Sequence, residues 1–199
     1  MRIEIVVFDG MDELDAIVPF EVLTNASHFR KDWDVALVGV RERGVVVGSH
    51  GMRLDVTETL GSPDAVIVPG GGWGDRAPIG AWQLATDEGL REHLRAIAKD
   101  GEWVASVCTG AMLLAAAGIT KGRPATTHHV AHEDLRASGA DLKAEYRVVD
   151  DGDLLTCGGV MSGMDLSLWI VERELGPEIA ARVSREMEYE RQGRLWRAV

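Results

Sequence analysis

The 199 residues suffice for one domain with its own hydrophobic core, without disulfide or metal staples. Hydrophobic residues make up 46% and charged residues 27%, the balance of a soluble globule, which excludes a disordered or low-complexity chain. A formal net charge of -11 excludes nucleic acid as a partner, because phosphate binding needs a basic surface.

The start, MRIEIVVFDGMDELD, lacks the basic region, long apolar stretch and small-residue cleavage site of a signal peptide. Apolar runs stay far below the roughly 20 residues that span a bilayer, so no membrane partner is expected. Two cysteines, Cys108 and Cys157, make no disulfide framework, and neither has a CxxC companion. The expected location is the reducing cytoplasm.

In chain order, Ile3 to Phe8 reads as a buried strand. A helix follows from about Asp12 to Ala26, with Leu14, Ile17, Val18 and Val22 at helical spacing. Pro19 should kink that helix or mark where its regular part begins. Trp33 to Val40 is a second strand, and Val45 to Val47 with Met52 to Val56 form a hairpin about Gly48-Ser49-His50-Gly51. Ala65 to Val68 is a short buried strand running into Pro69-Gly70-Gly71-Gly72. Leu84 to Ala98 is helical, Trp103 to Val107 is a buried strand, and Cys108 to Ala117 is a helix of small residues. Arg147 to Val149 and Leu154 to Thr156 suggest a hairpin turning at Asp151-Gly152. Ser162 to Leu175 is a helix with Ser162 and Asp165 as a capping box. The charged end, Glu186 to Val199, is expected to be a terminal helix or a partner-contacting tail.

Strands alternating with helices imply a flavodoxin-like α/β sandwich, a mostly parallel sheet with helices on both faces. No internal repeat or linker appears, so residues 1–199 are expected to form a single domain. Ligands of such sheets bind beyond the carboxyl ends of the strands. That rule selects Phe8 to Asp15, Val68 to Gly72 and Val107 to Gly110.

Cys108 stands where a strand gives way to a helix, with the small residues Gly110 and Ala111 after it. This is the pattern of a nucleophile elbow with cysteine in place of serine. The helix dipole should favour the thiolate there, and the Thr109 amide can donate to a developing oxyanion. Position alone leaves a second reading open, a buried structural cysteine. Cys157, within a probable strand, reads as structural.

The amides of the glycine run can form a second half of an oxyanion hole or simply a tight loop. The run has neither dinucleotide-binding nor Walker spacing. Among the acids at the start of the first helix, Asp15 can lie on the inward face and move protons for Cys108. Three of the six histidines cluster as His128, His129 and His132, and their spacing matches no zinc pattern, so no metal is expected. One of them can serve as a base or orienting group near the cysteine, while His132 and Glu133 are expected to be solvated. Trp73, after the glycine run, is expected to line the pocket or else pack on the loop.

Together these segments resemble the PfpI-type (ThiJ/PfpI) branch of the class I glutamine amidotransferase-like superfamily, over nearly the whole chain. Leu14-Asp15-Ala16-Ile17-Val18-Pro19-Phe20 resembles that superfamily's first helix, whose acid touches the cysteine. Val68-Pro69-Gly70-Gly71 resembles its oxyanion loop, and Ser106-Val107-Cys108-Thr109-Gly110 its elbow. Ala125-Thr126-Thr127-His128 resembles the stretch whose histidine lies near the pocket. Leu154 to Val160 and Ser162-Gly163-Met164-Asp165 resemble the closing strand and helix.

The resemblance implies Cys108, Asp15 and Thr109 as catalytic residues, Gly71 and Thr109 as the oxyanion hole, and Gly70 and His128 around the pocket, which the position of Trp73 after the glycine run would let it line as well. It implies a homodimer acting on a small molecule without a cofactor. Two departures bear on activity. Thr109 stands where PfpI-type proteases place a histidine, and Gly158-Gly159-Val160 occupies the region of the glutaminase His-x-Glu pair. Peptide hydrolysis and ammonia release are therefore disfavoured. The Cys-Thr-Gly elbow with Leu-Asp near the start is similar to isonitrile hydratases and to the sensor halves of amidotransferase-like transcription regulators. Those regulators add a helix-turn-helix domain for which this chain leaves no room. The expected reaction is hydration of an isonitrile, with glyoxalase-type or deglycase-type chemistry and a cysteine redox sensor as the alternatives.

Overall fold

A computed structural model describes residues 1–30 and 32–198. The first half of the chain comprises β1 (Arg2–Val7), α1 (Glu13–Ser27), β2 (Asp34–Gly39), β3 (Gly44–Val47), β4 (Arg53–Val56) and β5 (Ala65–Val68). Next come α2 (Ala81–Leu84), α3 (Glu88–Asp100), β6 (Trp103–Ser106), α4 (Gly110–Ala116), β7 (Pro124–Ala125), α5 (His132–Ala137) and β8 (Asp141–Leu142). The chain closes with β9 (Val148–Asp150), β10 (Leu154–Cys157), α6 (Ser162–Leu175), α7 (Pro177–Glu186) and β11 (Leu195–Arg197).

The main sheet has seven strands in the order β11-β9-β10-β6-β5-β1-β2. All its pairings are parallel except β9 against β10. Strands β5, β6 and β10 are buried at every position, as a parallel sheet covered on both faces demands. Their continuous apolar runs are what made them legible. The helices form two packed groups, α1 with α6 and α7, and α2, α3 and α5 around α4. This is the expected α/β sandwich, and β3 with β4 forms the expected hairpin.

Several boundaries differ from the sequence reading for physical reasons. The helix expected over 84–98 begins only at Glu88, because the Asp87 carboxylate accepts from Leu90 N at 3.0 Å and caps α3 there, after the short α2 has ended at Leu84. Pro19 sits inside α1 without ending it. The expected capping box at Ser162 and Asp165 does not form. Asp165 instead accepts from Arg147 Nε at 2.5 Å and from the Gln192 amide at 2.6 Å, and Met161 is the cap position. The tail is neither a free arm nor a terminal helix. After α7, Tyr189 and Gln192 fasten to Asp165, and β11 joins the sheet edge beside β9. Of its apolar residues Met187 and Tyr189 pack against the core, while Leu195 stays exposed. No helix is long and apolar enough to cross a membrane among the described residues.

Candidate active site

The ends of β1, β5 and β6 converge as the strand-end rule anticipates. Past β6, Val107 N donates to Val68 O at 3.0 Å and Cys108 N donates to Gly158 O at 2.9 Å. Between these anchors Cys108 adopts φ +56°. A non-glycine residue there costs about 1–3 kcal/mol, and surrounding bonds must over-determine it. The buried Thr127 hydroxyl supplies one more, donating to Cys108 O at 2.8 Å. Gly110 is obligatory, since a Cβ would lie 2.0 Å from Val68 O. The elbow therefore holds the sulfur at the carboxyl edge of the sheet.

Asp15, in the first turn of α1, is 0% exposed and faces the same point. Its Oδ2 accepts from the Gly70 amide at 2.9 Å, while Oδ1 has no hydrogen-bond partner. Burial and the neighbouring Asp12 charge push its carboxyl up to about 7, against hydrogen bonds from Gly70 and the Cys108 thiol. Burial and the Asp15 charge push the thiol up to about 12, against the backbone amides of Val160 and Thr109. The expected dipole-favoured thiolate is thus overturned. Helix α4 begins only at Gly110, and a helix terminus contributes about 0.3–1 kcal/mol, under one pKa unit. Desolvation moves a buried group by several units, so it wins. At neutral pH the Cys108 thiol keeps its proton while the Asp15 carboxyl is only partly ionised, and the two titrate as a coupled pair.

The glycine run binds the elbow to α1. Gly71, at φ +124°, lies so close to the chain before α1 that a Cβ would be 2.5 Å from Asp12 N. Its amide does not point into an empty oxyanion hole, as the sequence reading expects; it donates to Thr109 Oγ1 at 3.0 Å. That leaves the Thr109 hydroxyl proton available as a donor. Gly70 acts through its amide on Asp15, and a Cβ there would lie 2.4 Å from Thr109 Oγ1. The amides that face the sulfur are those of Thr109 and Val160. Sequence reading missed Val160, since a backbone donor leaves no side-chain signature.

His128 is half-buried against Gly159, where a Cβ would lie 2.3 Å from its ring. Its Nδ1 accepts from Val130 N at 3.3 Å, so the neutral ring carries its proton on Nε2. Burial, then the neighbouring His129 and His132, lower its pKa. His132 is half-buried and lies within hydrogen-bonding reach of Thr127 O at 3.2 Å, whereas Glu133 is solvated as expected. Trp73 is 7% exposed, stacks edge-on against Trp82 at 4.9 Å, and donates to Asp134 at 2.7 Å. It anchors the loop to α5, the second of the two placements the sequence left open.

A depression of about 510 Å³ opens outside Val160, lined also by Leu14, Met52, Asp12, Glu13 and His50. Sequence reading missed this wall because the hairpin turn meets α1 across 37 positions of chain. Glu13 accepts from His50 N at 2.8 Å, Met52 N at 3.3 Å and His50 Nδ1 at 2.6 Å. Burial opposes its ionisation, but these bonds bring its carboxyl down to about 2. Asp12, Glu13 and His50 place ligand atoms within 4.8 Å of one another, yet Glu13 is already saturated by the turn.

The DJ-1/PfpI family model matches residues 1–173. An isonitrile hydratase of Pseudomonas putida is 33% identical over 192 residues, covering 95% of this chain and 78% of that protein. A deglycase of Pyrococcus abyssi is 30% identical over 158 residues, 77% of this chain and 87% of its own. Among solved structures, a ThiJ/PfpI family protein from Pseudomonas syringae superposes with TM-score 0.84 at 25% identity, covering 96% of this chain and 76% of its own. DJ-1beta of Drosophila melanogaster superposes with TM-score 0.81 at 20% identity, over 95% of this chain and 98% of its own.

Proposed function

This chain belongs to the DJ-1/PfpI family, and from that premise we propose that it hydrates an isonitrile to an N-substituted formamide through a thioimidate on Cys108. The observation that carries the reading is the buried Cys108–Asp15 pair, a protonated thiol beside a partly ionised carboxyl that keeps an oxygen without a partner. Isonitrile hydration needs a nucleophile and one group that both takes and returns protons. Asp15 removes the thiol proton as sulfur bonds to the terminal isonitrile carbon, then returns it to that carbon, giving Cys–S–CH=N–R. It next takes a proton from water as oxygen adds to the carbon, and delivers it to nitrogen. Finally it removes the remaining hydroxyl proton as the C–S bond breaks, releases the formamide, and reprotonates the thiolate. The sum is one isonitrile plus one water to one formamide.

The Thr109 hydroxyl, oriented by the Gly71 amide, is positioned to donate to the charge that develops during these steps. His128 shapes the pocket as an Nε2–H donor, which leaves Asp15 as the base. The Pyrococcus deglycase favours a second reading, attack of Cys108 on a 2-oxoaldehyde to give a hemithioacetal with Asp15 shifting the adjacent proton. A redox sensor fits less well, since a buried thiol is a poor target for peroxide. The family premise also underlies a cytoplasmic homodimer, which light scattering of the purified chain tests.

The deciding experiment assays an aromatic isonitrile beside methylglyoxal for the native protein and Cys108→Ala. Formamide production that falls at least ~10³-fold in the variant supports the proposal. Turnover of methylglyoxal alone transfers the protein to the second reading. Inertness toward both would remove the enzyme reading in favour of the sensor.

A further inference from the structure

The elbow is a β-turn closed by Gly110 N donating to Val107 O at 2.9 Å. Its central residues have φ +56° at Cys108 and φ −76°, ψ 2° at Thr109, the signature of a type II′ turn. Glycine ordinarily opens such a turn, so the central peptide between Cys108 and Thr109 needs outside support. The N–H of that peptide, on Thr109, faces the sulfur. Its carbonyl oxygen, on Cys108, accepts from the Thr127 hydroxyl at 2.8 Å. Among the described residues no other donor serves this oxygen. The peptide is planar and trans, with N–H and C=O pointing in opposite directions, so holding one end aims the other.

Thr127 is buried and is itself held on both sides. The preceding amide, Thr126 N, donates to Thr156 Oγ1 on β10 at 2.8 Å, and Thr127 O lies 3.2 Å from His132 Nε2. Strand β10 runs beside β6 with Thr156 opposite Ser106, so the clamp and the elbow share one footing. We propose that Thr127 is a positioning residue of the reaction: its hydroxyl holds the Cys108–Thr109 peptide so that the Thr109 amide points at the sulfur. The inference deepens the function proposed above and requires only that Cys108 is the nucleophile. A thiolate appears twice in the proposed cycle, as Asp15 takes its proton and as the C–S bond breaks. At both points a fixed N–H stabilises the charge without reorganising. Donation to the carbonyl also polarises the peptide and strengthens its N–H as a donor. Without the hydroxyl, Cys108 O is left buried and unpaired, a cost that favours turning the peptide. A full flip would need positive φ at Thr109, which a β-branched residue resists, so the turn tilts and the amide leaves the sulfur.

The test compares Thr127→Val, which keeps the shape and deletes the hydroxyl, with Thr127→Ser, which keeps the hydroxyl and deletes a methyl. Rates are read well below the Tm of each variant. One is alkylation of Cys108 by iodoacetamide at about pH 8, located by peptide mass spectrometry, which separates it from the fully buried Cys157. The other is turnover of whichever of the isonitrile and methylglyoxal the native chain consumes. Far below the thiol's pKa the alkylation rate follows the thiolate fraction, so losing a donor worth about one pKa unit costs roughly tenfold. Thr127→Val should therefore alkylate about tenfold more slowly and lose about ten- to hundredfold in kcat, with KM within about threefold of native. Thr127→Ser should keep both rates within about threefold, although each variant melts lower. Should valine block folding, Thr127→Ala takes its place with the same expectations.

Equal losses in the valine and serine variants would put the effect in the methyl group and overturn the inference. So would native rates in Thr127→Val with only its Tm lowered, the outcome for a bond that merely satisfies a buried carbonyl. Failure of iodoacetamide to reach Cys108 in the native chain also overturns it, because the amide would then serve a sulfur that no electrophile meets. If the native chain consumes neither substrate but the alkylation contrast holds, the function proposed above fails and the hold of Thr127 on the nucleophile stands.

Discussion

Two of the aspartates buried in this molecule, Asp165 and Asp15, are treated in opposite ways. Asp165 on α6 is 2% exposed and accepts from Arg147 Nε, the Tyr189 hydroxyl and the Gln192 amide. Its charge is neutralised, and the tail is tied down by it. Asp15 on α1 is 0% exposed, accepts from one backbone amide, and keeps an oxygen without a partner. Among the described residues no ion pair answers it; its neighbours are Asp12 and a thiol. A buried carboxylate left so poorly satisfied is costly, and a chain that keeps one holds a reactive group in reserve. The two cysteines show the same contrast. Cys157 is wholly buried in β10, whereas Cys108 sits at a strained φ beside that carboxylate.

The largest effect expected from this contrast is that of Asp15→Asn. Asparagine can still accept from the Gly70 amide, but it cannot shuttle a proton, so turnover should fall by about 10²–10⁴-fold. Stability should move the other way. The folded pKa of Asp15, about 7, lies above its unfolded value near 4. The group's favourable contribution is therefore present below about pH 4 and is lost as pH rises through 7. Removing the charge should stabilise the protein at pH 8 by on the order of 1–4 kcal/mol, or ~2–4 °C in Tm per kcal/mol. That gain should shrink as pH falls below 7. Thermal melts across pH 5 to 8 would break the contrast if Asp15→Asn proved less stable than the native chain at pH 8.

Asp165 should respond in the reverse sense. Asp165→Ala strips Arg147, Tyr189 and Gln192 of their shared acceptor, and breaking such a buried pair costs about 3 kcal/mol. For a chain of this size Tm should drop by ~6–12 °C. At a temperature where the variant is folded, kcat should stay within about threefold of native, since Asp165 acts on the tail. A variant that melts like the native chain but loses turnover would show that Asp165 belongs with Asp15.

How much of this was legible in the sequence depends on which residues carried each feature. Helix α6 was readable residue for residue over Ser162–Leu175, because an apolar face at helical spacing is a local signal. The role of Asp165 was not, since its partners arrive from β9 and from a tail that only the folded sheet edge brings near. Helix α7 was missed altogether, because its exposed charged face hid the sparse buried pair Ala180 and Val183. At the site, the elbow and the inward Asp15 were visible as a strand-end cysteine and an acid in an apolar turn. The state of the sulfur was not, because dipole and desolvation oppose one another there and only burial decides between them. The Glu13 clasp on the hairpin and the Val160 amide escaped for a simpler reason: the one joins segments far apart in the chain, and the other uses backbone alone.

The smallest effect separates anchoring from substrate contact at Trp73. Its indole N–H is taken up by Asp134 and its ring by Trp82, while Arg76 lies 4.0 Å over the Trp82 ring. These contacts brace the glycine loop from outside, as Asp165 braces the tail. Trp73→Phe keeps an aromatic ring and deletes the charge-assisted bond, so it should cost about 1 kcal/mol, or ~2–4 °C in Tm. If Trp73 only braces the loop, kcat and KM should each stay within about twofold of native. A rise in KM with unchanged kcat and unchanged Tm would instead put the indole against the substrate. The satisfied side chains of this molecule would then no longer all be scaffold, and the contrast between the two aspartates would describe only themselves.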